Sequence, residues 1–575
     1  MTYRHFKYEG WLYALAFLLA FGLRFIQLGA MPLTDAEALP ALQALHIAQS
    51  LKPALSPHPF YILSTSILFF LYGGGTNFLA RFIPALTGSL LVLAPLFLTR
   101  IKPRPSLILA FFIAVDPGLI SLSRQAASPI FAITFLLFTW GFFSQNKPRL
   151  AGFFAALALL SGAFIWAGLL GLGITWALYQ AIENRLKPRH QSTDESVETE
   201  LHAQPAPFDF RHSIFSFAIT FITAGTLFFI APNGLSATLA SIPTFINGWL
   251  TSSTIPASRL FISLLVYQPL TLLLALIAII RGWRKASSRI IPLSLWLLVS
   301  LLLAVFIPSR QLSDLAWMLI PLSALAALEL VRNIDIFPDE RFEVAGVMFL
   351  TAFIWAFSWL DFSKIVWVQV ASQEYYMRFW LLLGAVLLLV FSILLVASGW
   401  SIRTARIGGV FGLVIVLGIF GLGGALGSAG LRGLDHPELW WSANLPAQAE
   451  LLRSTVSDIS EWKLGNDYSA PVVIAGVNSP ALEWALREHP LTVVESLDIS
   501  SSPYFVITPL QDDPTLASSY RGQDFTWRQT PLWNDTLSQS WVRWVSLRDA
   551  PQSGETIILW ARDDMFLNSA PNAVP

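Results

Sequence analysis

The chain has no cysteine, which excludes disulfides, thiolate metal sites and cysteine nucleophiles at once. It is also poor in charge: 13% of residues are Asp, Glu, Lys or Arg against 55% hydrophobic, which is not the composition of a water-soluble globule. The 36 basic and 36 acidic residues cancel, so there is no electrostatic footprint for nucleic acid. HExxH, P-loop and GxSxG patterns are missing, and Gly73-Gly74-Gly75 lacks the lysine and following helix of a phosphate cradle.

What the chain does have is apolar length. Over 575 residues the mean hydropathy is +0.60, and apolar runs recur from Trp11 to Leu426. Each such run, at about 20 residues, suffices to cross the hydrocarbon core of a bilayer. The expected spans are 11–28, 79–99, 106–122, 129–144, 150–165, 166–182, 213–231, 259–280, 290–307, 314–331, 344–360, 376–398 and 407–429, about thirteen in all. The first follows Arg4 and Lys7 but is longer than a signal-peptide core and has no convincing cleavage site, so it reads as a retained span. Nothing comparable follows Gly433. The expected fold class is mainly α, a polytopic helical membrane protein over 1–433, with a C-terminal extracytoplasmic α/β domain over 434–575.

Charge orients these spans. With the N-terminus in the cytoplasm, about nineteen Lys and Arg residues, from Arg4 to Arg406, fall on the inner side, whereas the outer loops keep Lys52, Arg124, Arg310 and Lys364. That bias places the tail outside. Counting the short run Phe60–Tyr72 as a span would reverse it. Residues 29–78 are therefore expected to form one outer loop with two helices lying along the membrane surface, the first over Ala36–Leu51 with Thr34 or Asp35 as its N-cap. The polar 183–212 segment reads as a flexible cytoplasmic linker.

The polar residues kept on the outer side are the candidates for chemistry. Arg24, Arg81, Arg259 and Arg378 stand at outer ends of spans, and Arg124 and Arg310 stand in short outer loops. Singly, such arginines snorkel to headgroups; together, six at one depth suit an anionic, membrane-embedded ligand such as a lipid phosphate. The acidic candidates are Asp35 and Glu37, which diverge by about 200° on a helix, and Asp116 in a pre-proline turn. His58, in Pro57-His58-Pro59-Phe60, opens the second surface helix.

The order of these motifs resembles the GT-C superfamily, especially the family 39 branch of protein O-mannosyltransferases and lipid A aminoarabinose transferases. The matching stretches are Leu23-Arg24-Phe25 at the end of the first span, the Asp35 motif, His58-Pro59-Phe60, Ala80-Arg81-Phe82, Asp116-Pro117 with Ser123-Arg124, and Ser309-Arg310 before Trp317. The family's adjacent Asp-Glu is split here as Asp35-Ala36-Glu37, and its second proline is Phe60. The resemblance implies an inverting glycosyltransferase that moves a sugar from a polyprenyl-phosphate donor to an extracytoplasmic acceptor; the lack of organelle signals and the compact loops point to a bacterial inner membrane. It implies Asp35 as general base, with Glu37 in reserve and Asp116 beside them. His58, Arg81, Arg124 and Arg310 would hold the lipid phosphate. No cofactor is demanded, although Asp35 with Asp116 could hold a divalent metal.

In the tail, Val472–Val477, Leu491–Leu497, Tyr504–Thr508, Trp541–Leu547 and Thr556–Trp560 read as strands and Pro480–Glu488 as a helix. Its tryptophans suit either sugar stacking or a core, and the tail is expected to help select the acceptor. The competing readings are a lipid-linked sugar flippase, weakened by the absence of a clear internal repeat, and a non-catalytic membrane assembly protein.

Overall fold

The computed structural model describes residues 9–98, 103–186, 208–334, 340–433, 435–441, 444–498, 500–511, 516–534 and 538–566. Among the described residues, the first 433 hold helices and the loops between them, and no strand. The helices run as α1 (Glu9–Phe25), α2 (Asp35–Ala48), α3 (Pro59–Tyr72), α4 (Asn77–Leu91), α5 (Ala94–Phe97), α6 (Pro103–Val115) and α7 (Pro117–Ser123). Next come α8 (Ile130–Ser144), α9 (Pro148–Leu159), α10 (Phe164–Leu186), α11 (Phe210–Gly225), α12 (Asn233–Asn247), α13 (Ala257–Tyr267) and α14 (Pro269–Arg284). The set closes with α15 (Ile290–Phe306), α16 (Ala316–Val331), α17 (Arg341–Lys364), α18 (Gln373–Gly399) and α19 (Ile402–Ser428).

The chain is a multi-pass membrane protein. Among the described residues, five helices are by themselves long and apolar enough to cross a bilayer: Phe164–Asn184, Leu312–Val331, Arg341–Trp367, Gln373–Gly399 and Ile402–Ser428. The number rises to seven if each of two bent pairs is one span. The flank of α18 leaves Leu387, Leu388, Phe391 and Leu394 uncovered, a surface that hydrocarbon rather than water must meet.

Two differences from the sequence expectation matter for the site. The run 259–280, expected as one span, breaks at Gln268-Pro269, where α13 and α14 meet at 95°. Pro269 fits the first turn of α14 but disfavours helical backbone in the residue before it. The run 106–122 bends by 59° at Asp116-Pro117 for the same reason, with Asp116 as the N-cap of α7. In addition, α12 lies between residues 231 and 259, where no span is expected.

The tail is a six-stranded mixed sheet built from β1 (Leu445–Pro446), β2 (Val472–Ala475), β3 (Leu491–Val494), β4 (Phe505–Pro509), β5 (Tyr520–Pro531) and β6 (Gln552–Arg562). The strand order is β1-β5-β6-β4-β2-β3, parallel between β3, β2 and β4 and antiparallel elsewhere. Helices α20 (Ala449–Leu464), α21 (Pro480–Ala485) and α22 (Ser538–Leu547) complete it. The expected strand at Trp541–Leu547 is thus a helix: Trp541, Trp544 and Val545 recur at helical, not alternating, spacing and pack inward.

The tail seats on the membrane region through the loop before α4. Arg487 donates from Nε and Nη2 to the Gly75 carbonyl at 3.0 and 2.7 Å, and Trp484 Nε1 donates to Asn77 Oδ1 at 2.8 Å. A Cβ on Gly75 would stand 2.8 Å from the Trp484 ring, so glycine is needed for this approach.

Candidate functional site

The N-terminal turn of α2 sends its two acidic side chains to different neighbours. Glu37 is buried, and all its bonding capacity is used internally. Its Oε1 accepts from Arg81 Nε at 2.9 Å and the Ala126 N–H at 3.0 Å. Its Oε2 accepts from Arg81 Nη2 at 2.8 Å and from the N–H and hydroxyl of Thr34, both at 3.1 Å. Burial alone would raise this carboxyl; the Arg81 guanidinium and the backbone N–H groups outweigh it and hold Glu37 below its ordinary value.

The arginines around Glu37 are spent on Glu37 itself and on backbone carbonyls. Arg81 also donates to the carbonyls of Met31 at 2.6 Å and Pro32 at 2.9 Å. Arg124 caps the end of α1, donating to the carbonyls of Arg24 at 2.9 Å, Ile26 at 2.7 Å and Gln27 at 3.2 Å. Arg24 does the same for α6 at the carbonyls of Ile113, 3.2 Å away, and Ala114, 3.1 Å away. Glu37, Arg81 and Arg124 share a cavity of about 30 Å³, room for a water or two and not for a sugar.

Asp35 faces the tail instead, with its side chain 26% exposed. Its Oδ1 accepts from Ser479 Oγ at 2.5 Å and the Ala481 N–H at 3.1 Å, at the start of α21. Its Oδ2 pairs with Arg528, at 2.9 Å from Nε and 2.8 Å from Nη2. A bulge in β5 makes this possible: Trp527 is the extra residue in the β5–β6 ladder, its indole N–H donates to Ser479 at 3.0 Å, and Arg528 is redirected to Asp35. Arg528 Nη1 simultaneously holds Glu555 at 3.0 Å, so this guanidinium has a second carboxylate to rest on.

Asp116 and His58 occupy separate, closed settings. Asp116 accepts the Leu119 N–H at 2.8 Å and Gln268 Nε2 at 2.6 Å, so its two oxygens serve the helix start and the α13–α14 break. His58 precedes α3 and packs against Phe164 and Gly162, whose φ of +100° and missing Cβ leave room for the ring. Burial pushes the imidazole down to about 4, so it is neutral at neutral pH and supplies no positive charge to a phosphate. Among the described residues no group of three or more His, Asp or Glu gathers to hold a metal, and Asp35 and Asp116 share no partner.

The roomy cavity lies elsewhere. About 500 Å³ opens between the start of α13, the loop carrying Arg310 and the tail, and Arg259, Arg310, Trp533, Asn534 and Trp541 help line it. Arg259 Nη2 donates to Asn534 Oδ1 at 2.6 Å, and Asn534 Nδ2 donates to the Thr254 carbonyl at 3.1 Å. The Nε atoms of Arg259 and Arg310 are buried without a hydrogen-bond partner. Neither guanidinium is in an ion pair among the described residues, so two cationic side chains without a countercharge line this open volume, an anion-accepting arrangement. Of the residues singled out in the sequence for lipid phosphate, Arg310 is the one at this cavity. Arg259 was visible as an outer arginine, but its pairing with Asn534, 275 positions away, was not.

The fold has solved counterparts. The chain superposes on the crystal structure of ArnT from Cupriavidus metallidurans bound to undecaprenyl phosphate with a TM-score of 0.51, over 85% of this chain and 86% of that one, at 14% identity. The chain has the GT-C fold. The Archaeoglobus fulgidus oligosaccharyltransferase in complex with Zn and sulfate also matches, over 84% of this chain and 62% of that one, at 13% identity and a TM-score of 0.38. No family model matches the chain. No curated protein matches it either.

Proposed function

We propose that this chain is a membrane glycosyltransferase that moves a sugar from a polyprenyl-phosphate carrier to a hydroxyl on an extracytoplasmic protein, lipid or glycan. The observation that carries this reading is the cavity between membrane helices and tail, lined by Arg259 and Arg310, neither of which is in an ion pair among the described residues. The shared fold with ArnT, a protein solved with undecaprenyl phosphate, supports the same class of donor. The charge asymmetry of the loops supports a cytoplasmic N-terminus and an extracytoplasmic tail, beginning near residue 434, on an inner membrane.

The step is a single displacement. The acceptor oxygen attacks the anomeric carbon as its proton passes to a carboxylate, the carbon–oxygen bond to phosphate breaks on the opposite face, and the polyprenyl phosphate leaves with the electron pair. Arg259 and Arg310 stabilise the charge that develops on the leaving phosphate. Asp35 is the carboxylate suited to the proton, since Glu37 is saturated by Arg81 and its neighbours and Asp116 is committed to two helix breaks. An acceptor hydroxyl would replace one donor on Asp35, and Arg528 has Glu555 to retain it when displaced. Asp35 does not itself line the cavity; its partner Arg528 lies five residues before Trp533, which does, so at most about 18 Å separates the Cα atoms of these two.

The test is binding of undecaprenyl phosphate to the purified chain. The Arg259→Gln/Arg310→Gln double variant should lose at least about tenfold in affinity, with an unchanged affinity for the uncharged polyprenol. Equal binding of undecaprenyl phosphate by wild type and double variant would remove the cavity from the donor site.

A further inference from the structure

Resting on that reading of the cavity, we propose that the tail is a donor-recognition element: Trp533 and Trp541 bind the sugar of the polyprenyl-phosphate sugar while Arg259 and Arg310 hold its phosphate. One cavity of about 500 Å³ is lined on the membrane side by the two arginines and on the tail side by the two tryptophans, so a ligand whose phosphate meets the former presents its next group to the latter. The rings are arranged as a firm platform. Trp533 and Trp541 stack at 5.6 Å with 21° between their planes, and both meet the fully buried Trp544 edge-on, at 5.3 and 5.6 Å. A rigid indole surface suits the apolar face of a pyranose, whose C–H groups pack on aromatic rings at little cost in side-chain freedom.

The tail also sets the arginine it works beside. Asn534 follows Trp533 directly and bridges Arg259 Nη2 to the Thr254 carbonyl, pinning the phosphate wall to the sugar wall. The membrane helices alone would present half of this site, with Arg259 unheld.

The test compares two probes on the full-length protein: undecaprenyl phosphate, and undecaprenyl phosphate carrying a single hexose, screened over a small panel of hexoses. Wild type should bind one sugar-bearing lipid more tightly than the bare lipid. Trp541→Leu and Trp533→Leu should lose that preference, by about five- to tenfold, while binding the bare lipid as wild type does. Trp541→Phe should restore most of it, which a mere loss of folding would not allow. The inference is overturned if wild type binds bare and sugar-bearing lipids equally, if the leucine variants keep the preference, or if they weaken both lipids alike. Wild type that binds neither lipid overturns the underlying donor reading as well, and that result is distinct from the other three.

Discussion

Gln268 Nε2 donates a 2.6 Å hydrogen bond to Asp116 Oδ2, and these are the residues immediately before Pro269 and Pro117, where two membrane helices bend by 95° and 59°. Each proline opens a new helix and leaves the preceding residue outside it, and the two freed residues bond to each other. Tyr267, next to Gln268, bonds through its hydroxyl to Glu438 and accepts the Leu439 N–H at 3.1 Å, so the same break is also tied to the segment leading into the tail. Gln268→Leu should leave a buried carboxyl oxygen without its donor and destabilise the protein by about 1–3 kcal/mol. Thermal unfolding in detergent measures this, and unchanged stability would mean the two breaks are independent.

Glu37 and Asp35 should separate cleanly when neutralised. Glu37→Gln leaves Arg81 buried without its countercharge and should destabilise by about 3–5 kcal/mol, whereas Asp35→Asn, at a part-exposed site, should fold normally. The sign with pH follows from the depressed Glu37 value: its contribution is present above the ordinary carboxylate range and is lost as pH falls through the lower folded value. Unfolding curves of both variants at neutral and acid pH check the pair of expectations.

His58 should make the protein acid-sensitive in a defined window. Its folded value of about 4 lies below the ordinary 6.5, so between these the unfolded chain binds a proton that the folded chain refuses. Stability is full above 6.5 and falls as pH drops toward 4, by about 3 kcal/mol over the window. His58→Phe should flatten that part of the pH profile; a variant with the same slope as wild type would place the sensitivity on another group.

Gly75→Ala should loosen the tail, because the added Cβ meets the Trp484 ring at 2.8 Å, inside the contact that seats the tail on the membrane region. Faster limited proteolysis between 434 and 449 is the expected result, and an unchanged rate would show that Trp484 yields without undocking.

Much of this fold was legible from residue pattern. The helical membrane region, the two helices α2 and α3 in the first loop, an N-cap at one of Thr34 and Asp35, which is Thr34, and strands β2, β3, β4 and β6 follow from periodicity, prolines and caps. The break at Gln268 was hidden because apolar residues flank Pro269 on both sides, so the run reads as continuous. Strand β5 was missed since Arg521, Gln523, Asp524 and Arg528 mask the inward pair Phe525 and Trp527. At the site, composition and order could mark outer arginines and acidic residues, but not which were already spent. Arg81 and Arg124 are satisfied by carbonyls and Glu37, while Arg259 and Arg310 keep free donors, and that distinction depends on contacts up to hundreds of positions apart.

The most direct test of the account is donor consumption. Purified wild type and Asp35→Asn would be incubated with a panel of radiolabelled polyprenyl-phosphate sugars and membrane-derived acceptors, following label as it leaves the lipid fraction. The account predicts that wild type consumes one donor and that Asp35→Asn, folded and still binding the lipid, slows transfer by about 100-fold or more. Transfer by Asp35→Asn at the wild-type rate, or no donor consumed by wild type when donors and acceptors are shown to be competent, would contradict it.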